Sequence, residues 1–524
     1  MATTLNFKDI IDLPQWRPEA PTLAASAAGA SIASDLRNDN TRHPFIYFLR
    51  SLTAFDAFDP TTSEWIPLSS PALASSFVAG STSVFHPSGG PRGTIAAGAT
   101  TTSITLTTAL SAAVGVNQLA NRGDGEGFII RIIGSAAGSS GKIEERRIIA
   151  NTSGTTPTLT LDVALSFTPA TGDAYEIISG RVFLLGGGTN AVNIWKYYDI
   201  ATNSFSSLAN TNLPVAVTVD SAMISLSELH VSNDRKPGEG LVDGTATYDA
   251  STIFDCIASD LVTVPTANTI TGTGMPSLFT NEYRNFQIRI VEDTVNTTAV
   301  GQRRRISSHT SGTGATFTVS TNWTVTPSSS AKFVVENDDD KIFMRSSAGA
   351  LIYNYNITAN TWDTSTWAVP VANGNGSTGT QAFGIARDTT GNARQSFVYF
   401  IRGGNSFSID VLDIAGAATG SWSNDIAYGN KSQLFTTGTC GIYAPATLGG
   451  RFLNINVNGT QRMARFDLRN RVLDSQSYLR FPQGTAVNGA KMGHALFIDG
   501  TTKLSFIYIL TSSQTQMFSL AVQR

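Results

Sequence analysis

The stretch that decides the fold runs from Arg181 to Leu208 and reads RVFLLGGGTNAVNIWKYYDIATNSFSSL. An apolar run, Val182 to Leu185, ends on three glycines, and a second apolar run spans Val192 to Tyr198. Asp199 then opens a short polar turn that leads to Phe205. Glycine supplies the positive φ of a hairpin turn, and Asp favours turns because its side chain bonds to nearby backbone. The stretch therefore predicts two antiparallel strands, a tight turn, and the start of a third strand.

Five further stretches repeat this order of apolar strand, small-residue turn and apolar strand. They run from Phe45 to Leu68, Lys341 to Trp362, Phe397 to Trp422, Arg451 to Asp474 and Phe506 to Val522. In five of the six copies an Asp or Asn opens the next turn, at Asp59, Asp199, Asn356, Asp413 and Asp467. An aromatic residue follows in four of these, at Trp65, Phe205, Trp362 and Trp422. One such repeat cannot bury its faces alone, and radial stacking of the repeats removes that problem.

The repeated phrase resembles the kelch repeat, whose pattern is apolar strand, Gly-Gly, strand, Tyr-Asp, turn, Trp. The copy from Arg181 to Leu208 fits that pattern best, with Gly186-Gly187, Tyr198-Asp199 and an aromatic at Phe205. The resemblance implies an all-β fold, a six-bladed kelch-like β-propeller with one blade for each copy.

Two long segments interrupt the repeats, and they are copies of each other. The segments align without a gap at a constant offset of 158 positions, and the alignment includes three blocks. The blocks are Phe128–Ile133 with Phe286–Val291, Arg146–Ile148 with Arg304–Ile306, and Thr152–Thr155 with Thr310–Thr313. We expect two homologous small β domains, each with alternating strands joined by Gly, Ser and Thr turns.

Both segments interrupt a blade between its first and second strands, in adjacent blades. Such loops emerge on one face of a propeller, where a rigid scaffold commonly carries function. The predicted organisation is an N-terminal arm (1–44), blade 1 and the start of blade 2 (45–92), inserted domain 1 (93–178), further propeller (179–235), inserted domain 2 (236–337) and the remaining blades (338–524).

The N-terminal arm has too little apolar periodicity for a core of its own. Three interpretations stay open. The arm is a frayed terminus, or Leu5 to Leu13 lends a strand to the unfinished last copy and closes the ring, or the arm docks on a neighbouring subunit.

Charge, hydrophobicity and cysteine content argue against several classes of partner and site. A net charge of −3 leaves no basic surplus to neutralise phosphates, so we expect no nucleic-acid partner. No apolar run reaches membrane-spanning length, so we expect no membrane partner. The N-terminal sequence lacks the apolar core of a secretory signal. The two cysteines, Cys256 and Cys440, fit neither a metal site nor a disulfide framework, and we interpret them as buried free thiols.

The sequence contains no catalytic constellation, so we expect a non-enzymatic protein without a cofactor. The histidines His43, His86, His230, His309 and His494 have no partners at metal-ligand spacing. The run Asp338-Asp339-Asp340 is compatible with a calcium site, but a solvated turn explains it as well, because EF-hand spacing is absent.

The two inserted segments share basic pairs, Arg146-Arg147 and Arg304-Arg305. Neighbours on a strand point to opposite faces, so one arginine of each pair can bond internally while the other faces a partner. Both arginines holding the small domain together is the equally open alternative. The candidate interface residues are Leu5, Phe7, Trp16, Arg17, Arg146, Arg147, Arg304 and Arg305.

Taken together, the chain resembles structural proteins of tailed-bacteriophage virions. The resemblance rests on the charge-poor composition rich in Ala, Ser, Gly and Thr, on an arm that reads IIDLPQWRPEAP, and on the Phe-x-Ile-Arg-Ile…Arg-Arg-Ile…Thr-Ser-Gly-Thr modules. It implies a virion component of the tail or the head–tail junction that is made in the host cytoplasm. Such a protein assembles as a homo-oligomer with other virion proteins as partners.

An enzyme such as a glycan hydrolase stays open as an alternative, and it would need paired carboxylates across a cleft. Two further alternative functions remain. One is a propeller that binds a host surface glycan or receptor through tryptophans near the blade turns, Trp65, Trp362, Trp367 and Trp422. Packing between blades is the competing explanation for these side chains. The other is a protein that decorates the capsid surface.

Overall fold

The computed structural model shows an all-β protein. Apart from a 3-10 turn at Thr297–Ala299, every regular element in the part of the chain that the structure describes is a β-strand. No helix within that part is long and apolar enough to cross a membrane. The structure describes residues 16–26, 29–34, 45–73, 81–86, 89–123, 125–135, 139, 141–186, 188–189, 194–209, 213, 216–217, 222–225, 256–274, 280–281, 283–284, 286–339, 341–345, 351–363, 367–368, 381–387, 394–401, 409–413, 421–423, 440–443, 452–456, 463–467, 472–474, 491–499, 502–510 and 515–522.

Six antiparallel sheets share one strand order, and we number them 1 to 6 along the chain. Sheet 1 contains Ser31–Ser34, Ile46–Leu49, Phe55–Asp59 and Glu64–Pro67. Sheet 2 contains Thr82–His86, Arg181–Leu185, Trp195–Asp199 and Ser204–Ser207. Sheet 3 contains Ala222–Ser225, Lys341–Arg345, Leu351–Asn356 and Thr361–Trp362, with Trp367–Ala368 as an extra strand on Leu351–Asn356. A separate two-stranded pair joins Gly188–Thr189 and Ala216–Val217.

The other three sheets follow the same order. Sheet 4 contains Gln381–Arg387, Arg394–Ile401, Ile409–Asp413 and Ser421–Ser423. Sheet 5 contains Cys440–Tyr443, Phe452–Asn456, Met463–Asp467 and Val472–Asp474. Sheet 6 contains Lys491–Asp499, Thr502–Leu510, Met517–Val522 and, as its fourth strand, Trp16–Pro18.

The sheets are arranged as a β-propeller. The first strand of each sheet contacts the first strand of the sheet before and after it, and the first strand of sheet 6 contacts that of sheet 1. Apolar side chains fill the space between neighbouring sheets, such as Phe183 and Met344 between sheets 2 and 3. Phe48, Phe58 and Tyr508 do the same between sheets 1 and 6. Each sheet thus covers a face that its neighbour could not bury alone.

The turn between the third and fourth strands explains why Asp or Asn recurs there. The Asp59 carboxylate accepts a hydrogen bond from the backbone N–H of Thr61 at 2.8 Å. Asp199 accepts a corresponding bond from Ala201 at 3.1 Å. Ser63, Asn203 and Asn360 lie four positions after Asp59, Asp199 and Asn356, and all three have positive φ. Asn tolerates this conformation better than most residues. The Asp side chains from which these turns were predicted therefore accept the hydrogen bonds that stabilise them.

Sheet 6 is completed by a strand from the other end of the sequence. Trp16 lies opposite Leu520 and Pro18 opposite Phe518 in an antiparallel pairing. The Trp16 ring packs against the apolar cluster that contains Ile507 and Phe518. This pairing covers the outer edge of sheet 6, which would otherwise expose unpaired backbone groups.

The residues after this strand tie sheet 6 to sheet 1. The Glu19 carboxylate accepts hydrogen bonds from the hydroxyls of Ser63, at 2.7 Å, and Ser519. The Trp65 indole N–H donates to the carbonyl of Ala20 at 3.0 Å. One short segment therefore holds both the first and the last sheet of the ring.

The structure differs from the sequence-based boundaries within the arm. Ser31–Ser34, inside the range 1–44, is the first strand of sheet 1 and pairs with Ile46–Leu49. Its sequence, SIAS, carries too few apolar residues to stand out from the surrounding Ala/Ser-rich stretch. The segment Leu5 to Leu13, considered above as the closing strand, lies outside the described residues, and the strand that pairs with sheet 6 is Trp16–Pro18.

Two modules occupy the segments between the first and second strands of sheets 2 and 3. Module A contains Arg92–Thr94, Ser103–Thr105, Ile129–Gly134, Lys142–Asn151, Thr158–Leu161 and Ala174–Ile178. Module B contains Cys256–Leu261, Thr269–Thr271, Phe286–Glu292, Arg303–His309, Thr316–Val319 and Lys332–Asp339. The twelve strands belong to one continuous network of paired strands.

The two modules have the same strand pairing, residue for residue, over much of their length. Ile130 lies opposite Arg146 in module A, and Ile288 lies opposite Arg304 in module B, at the offset of 158. A register shift follows Ile148 in one module and Ile306 in the other, at equivalent positions. A bulge is a specific local feature of a strand pair, so its recurrence shows that the aligned sequences adopt the same conformation.

Asn151 and His309 occupy equivalent positions after this shift, and each side chain accepts a hydrogen bond from a backbone N–H group. The Asn151 amide accepts from the Leu119 N–H at 2.8 Å and donates to the Thr152 carbonyl at 2.7 Å. The His309 Nε2 accepts from the Tyr283 N–H at 2.8 Å, so its Nδ1 carries the proton and faces the Thr310 carbonyl at 2.8 Å. Each side chain satisfies a buried backbone donor.

We predict that removing residues 1–18 lowers the thermal unfolding midpoint, whereas removing residues 1–15 does not. The longer deletion removes the strand that pairs with Met517–Val522 and leaves that edge open, and the shorter one keeps it. Differential scanning calorimetry on both truncated proteins makes the comparison. Equal midpoints would show that the closing strand adds no stability.

We predict that His309→Asn preserves the stability of module B, because the structure already uses Asn at the equivalent position. His309→Leu leaves the Tyr283 N–H unpaired and costs about 1–3 kcal/mol. Urea unfolding at pH 8 compares the two variants. If the Asn variant lost as much stability as the Leu variant, the equivalence would be wrong.

The same substitution removes a pH dependence. Burial lowers the pKa of His309 below its ordinary value of 6.5. In the window between the two pKa values the unfolded chain binds a proton that the folded chain does not, so stability falls as the pH drops through it. The asparagine variant should lose this contribution between pH 7 and the folded pKa.

Candidate interaction site on the paired modules

Modules A and B meet along a contact that contains both apolar and charged residues. Lys142 lies opposite Glu292 in a bridge between the two modules. Beside it, Ile133 and Ile143 of module A pack with an apolar cluster of module B that includes Val291. The contact therefore excludes water from the charged groups next to it.

Two arginines at equivalent positions, Arg131 and Arg289, reach across this contact. Arg131 lies 3.0 Å from Glu176 in its own module and 2.8 Å from Glu336 in the other. Arg289 lies 2.5 Å from Glu336 in its own module and 3.0 Å from Glu176 in the other. Arg131 and Arg289 thus each pair with both Glu176 and Glu336, so ion pairs cross the contact in both directions.

Further charged residues extend this group, which we call the cross-module ion network. Glu145 lies 2.6 Å from Arg131, and Arg303 lies 2.6 Å from Glu336. Glu145 and Arg303 occupy equivalent positions at the offset of 158 but carry opposite charges. Arg92 approaches Glu176 at 3.6 Å from a more exposed position.

Because the network is buried, its charged groups depend on their ion-pair partners for stability. The side chains of Arg289 and Glu336 are 2% and 3% exposed. Burial alone would raise the pKa of Glu336, but Arg289, Arg303 and Arg131 outweigh it and hold that pKa far below its ordinary value near 4.5. Burial lowers the pKa of Arg303 to about 10, which still leaves it charged at neutral pH. The carboxylates therefore stay ionised at the contact.

Arg146 and Arg304 serve their own modules. Arg146 forms an ion pair with Glu144 at 2.7 Å and also contacts the Ala164 carbonyl. Arg304 donates to the carbonyl of Asn322, at the position equivalent to Ala164, and its guanidinium lies over the Trp323 ring. These contacts join the fourth strand of each module to the loop that follows the fifth.

Arg147 and Arg305 differ from each other. Arg147 forms an ion pair with Glu126 at 2.5 Å and donates to the Gly127 carbonyl. Arg305 pairs through its backbone with Gln287, and its side chain makes no hydrogen bond or ion pair among the residues that the structure describes.

The candidates in the arm lie elsewhere. Trp16 and Arg17 belong to the closing strand of sheet 6, where Trp16 is partly buried and Arg17 is exposed. Leu5 and Phe7 lie outside the described residues.

Sequence reasoning missed the cross-module ion network. Its members Arg131 and Arg289 stand in the middle of the apolar runs FIIRII and FQIRIV. A charged side chain within a buried strand needs a partner, so these arginines were the available signal. The acidic partners come from distant positions in the sequence, which the alignment alone does not connect.

The described residues include no group of three or more His, Cys, Asp or Glu side chains that could hold a metal ion. The side chains of the run Asp338-Asp339-Asp340 lie outside the described part. Cys440 is a buried free thiol, and burial raises its pKa to about 12. A thiol of this kind is a poor nucleophile because the thiolate is the reactive form.

The tryptophans considered for glycan binding pack inside the protein where the structure describes them. Trp362 is buried against Trp195, with ring centroids 5.2 Å apart, and Tyr355. Trp65 packs against Phe58 with ring centroids 5.1 Å apart. The side chains of Trp367 and Trp422 lie outside the described residues.

We predict that Arg289→Met destabilises the protein by about 3–5 kcal/mol, because it leaves the buried carboxylates of Glu176 and Glu336 short of one positive charge. Arg92→Met is the matched control. It removes a 44% exposed arginine at the same carboxylate, and exposed pairs contribute no more than about 1 kcal/mol. Urea unfolding at neutral pH measures both, and equal losses would contradict the role assigned to burial.

No protein-family model matches the chain, and no curated protein matches it in sequence. Among solved structures, a luciferin-regenerating enzyme aligns over 98% of both chains at 9% identity with a TM-score of 0.32. An alpha-L-arabinanase of Penicillium chrysogenum aligns over 65% of this chain and 89% of its own, at 8% identity and a TM-score of 0.24. An auxiliary nutrient binding protein of Bacteroides thetaiotaomicron covers 81% and 96%, at 9% identity and a TM-score of 0.22. Similarities this low carry no argument about the function of this chain.

Proposed function

We propose that the six sheets are six blades of one kelch-like propeller, and that modules A and B are duplicated domains inserted in adjacent blades. The closed cycle of contacts between first strands supports six blades. The shared register and bulge support a duplication. Each module leaves its sheet after the first strand and returns to the second, so it is attached through two chain connections.

On this architecture we propose that the chain is a non-enzymatic structural protein of a tailed-phage virion. It acts as a multimer in the tail or at the head–tail junction. The observation that carries the proposal is the cross-module ion network, because it joins the two modules through ion pairs between buried side chains. A rigid body held by buried charge presents a fixed surface to neighbouring subunits, as a component of a regular assembly requires.

The alternatives have less support. A glycan-binding propeller would use exposed aromatic side chains, whereas Trp362 is buried between sheets and Trp65 is half-buried against its own sheet. A capsid decoration protein would share the rigid body but differ in its place in the particle.

We predict that the purified protein forms an oligomer of defined mass, and that virions of the phage encoding it contain the chain in a fixed ratio to the capsid protein. Multi-angle light scattering and quantitative mass spectrometry of purified particles measure the two quantities. A stable monomer that is absent from virions would refute the proposal.

The truncated proteins separate assembly from folding. We propose the N-terminal arm as a second contact to neighbouring subunits, beside the modules. Removal of residues 1–15 should then prevent oligomer formation while the monomer keeps its thermal midpoint. An arm-less protein that still assembles would move the contact to the modules.

A further inference from the structure

Modules A and B differ in charge at one pair of equivalent positions outside the ion network. In module A, Arg147 is neutralised by Glu126, which stands two residues before Phe128. In module B, Arg305 takes the place of Arg147, and Arg284 stands two residues before the aligned Phe286. One module thus has an acidic and a basic residue at these positions, and the other has two arginines.

The two arginines of module B have no acidic partner in the described part of the chain. Neither Arg284 nor Arg305 makes a side-chain hydrogen bond or an ion pair there. Both are half-buried. Burial lowers the pKa of Arg284, and the nearby positive charge of Arg305 lowers it further. Two like charges held together in a partly desolvated position repel each other, and an anion between them removes the repulsion.

The two arginine side chains offer hydrogen-bond donors and no acceptor to a ligand. Two guanidinium groups supply planar N–H donors that match a carboxylate. The chemistry that fills the equivalent place in module A is itself a protein carboxylate, that of Glu126.

We infer that Arg284 and Arg305 form a binding site for a carboxylate presented by an acidic segment of another protein. The choice of a protein partner rests on the proposed function, in which the modules contact neighbouring subunits. The site remains accessible because both side chains are partly exposed, and it lies on the module that lacks its own counter-ion.

The test compares three forms of the full-length protein. The probe is hexaglutamate, measured by isothermal titration calorimetry at low salt. The unaltered protein should bind it, with an affinity that falls as salt is raised. Arg284→Glu creates the acidic and basic pair of module A, and it should weaken binding at least about tenfold, the effect of losing one charge-assisted contact.

The reciprocal variant provides the matched control. Glu126→Arg removes the carboxylate that pairs with Arg122 and Arg147 and places a third positive charge beside them, so it should add a second site for hexaglutamate. Thermal scans without peptide should show a higher midpoint for Arg284→Glu and a lower one for Glu126→Arg, which also reports that both variants fold.

Three outcomes overturn the inference. Hexaglutamate affinity that is equal in the unaltered protein and in Arg284→Glu means that the arginines do not bind it. Absence of binding to the unaltered protein means that the two guanidinium groups are neutralised within the chain. Stronger binding of an oligogalacturonate of equal charge would assign the site to an acidic glycan. None of these depends on oligomeric mass or virion content, so failure here is distinct from failure of the proposed function.

Discussion

The structure depends on one interaction, the exchange of arginine and glutamate partners between modules A and B. Arg131 and Arg289 each hold one carboxylate from either side, so neither module can complete its own electrostatics alone. Desolvating several ionised groups costs several kcal/mol for each ion, and only close pairing offsets that cost. Apolar packing could join two domains in many orientations, whereas this exchange is satisfied in one. The network therefore specifies how the modules are joined more than it adds to their stability.

The two modules share their strand pairing but differ in several side chains. Where a buried backbone N–H group requires a hydrogen-bond acceptor, both modules provide one, Asn151 in module A and His309 in module B. Within the ion network the modules differ, because Glu145 pairs with Arg131 inside module A, whereas Arg303, at the equivalent position, pairs with Glu336 inside module B. At positions that neither bond a buried backbone group nor belong to the ion network, the side chains of the two modules differ more freely. Glu126 and Arg284, for example, carry opposite charges. Burial and pairing thus limit which side chains a position accepts, and exposed positions accept a wider range.

Sequence reasoning recovered what is encoded locally. The repeated strand and turn phrase predicted the all-β fold and its propeller arrangement, because Asp59 and Asp199 act through backbone groups two residues away. The duplicated FxIRI blocks predicted two similar modules, because similar sequences adopt the same local strand pairing. The ion network and the strand Trp16–Pro18 escaped prediction because each depends on partners far away in the sequence. Glu336 lies more than two hundred positions from Arg131, and Trp16 more than five hundred from Leu520. Strand Ser31–Ser34 was hidden by its composition.

The strand that completes sheet 6 also sets the order of events during synthesis. Trp16–Pro18 leaves the ribosome first but gains its partner only after Met517–Val522 has been made. Until then the ring has two unsatisfied edges, and contacts of such long sequence separation form slowly. A prematurely terminated chain can never close, and its open edge marks it for aggregation or degradation. The closing strand therefore delays the last pairing of sheet 6 until the final strand of that sheet has been made.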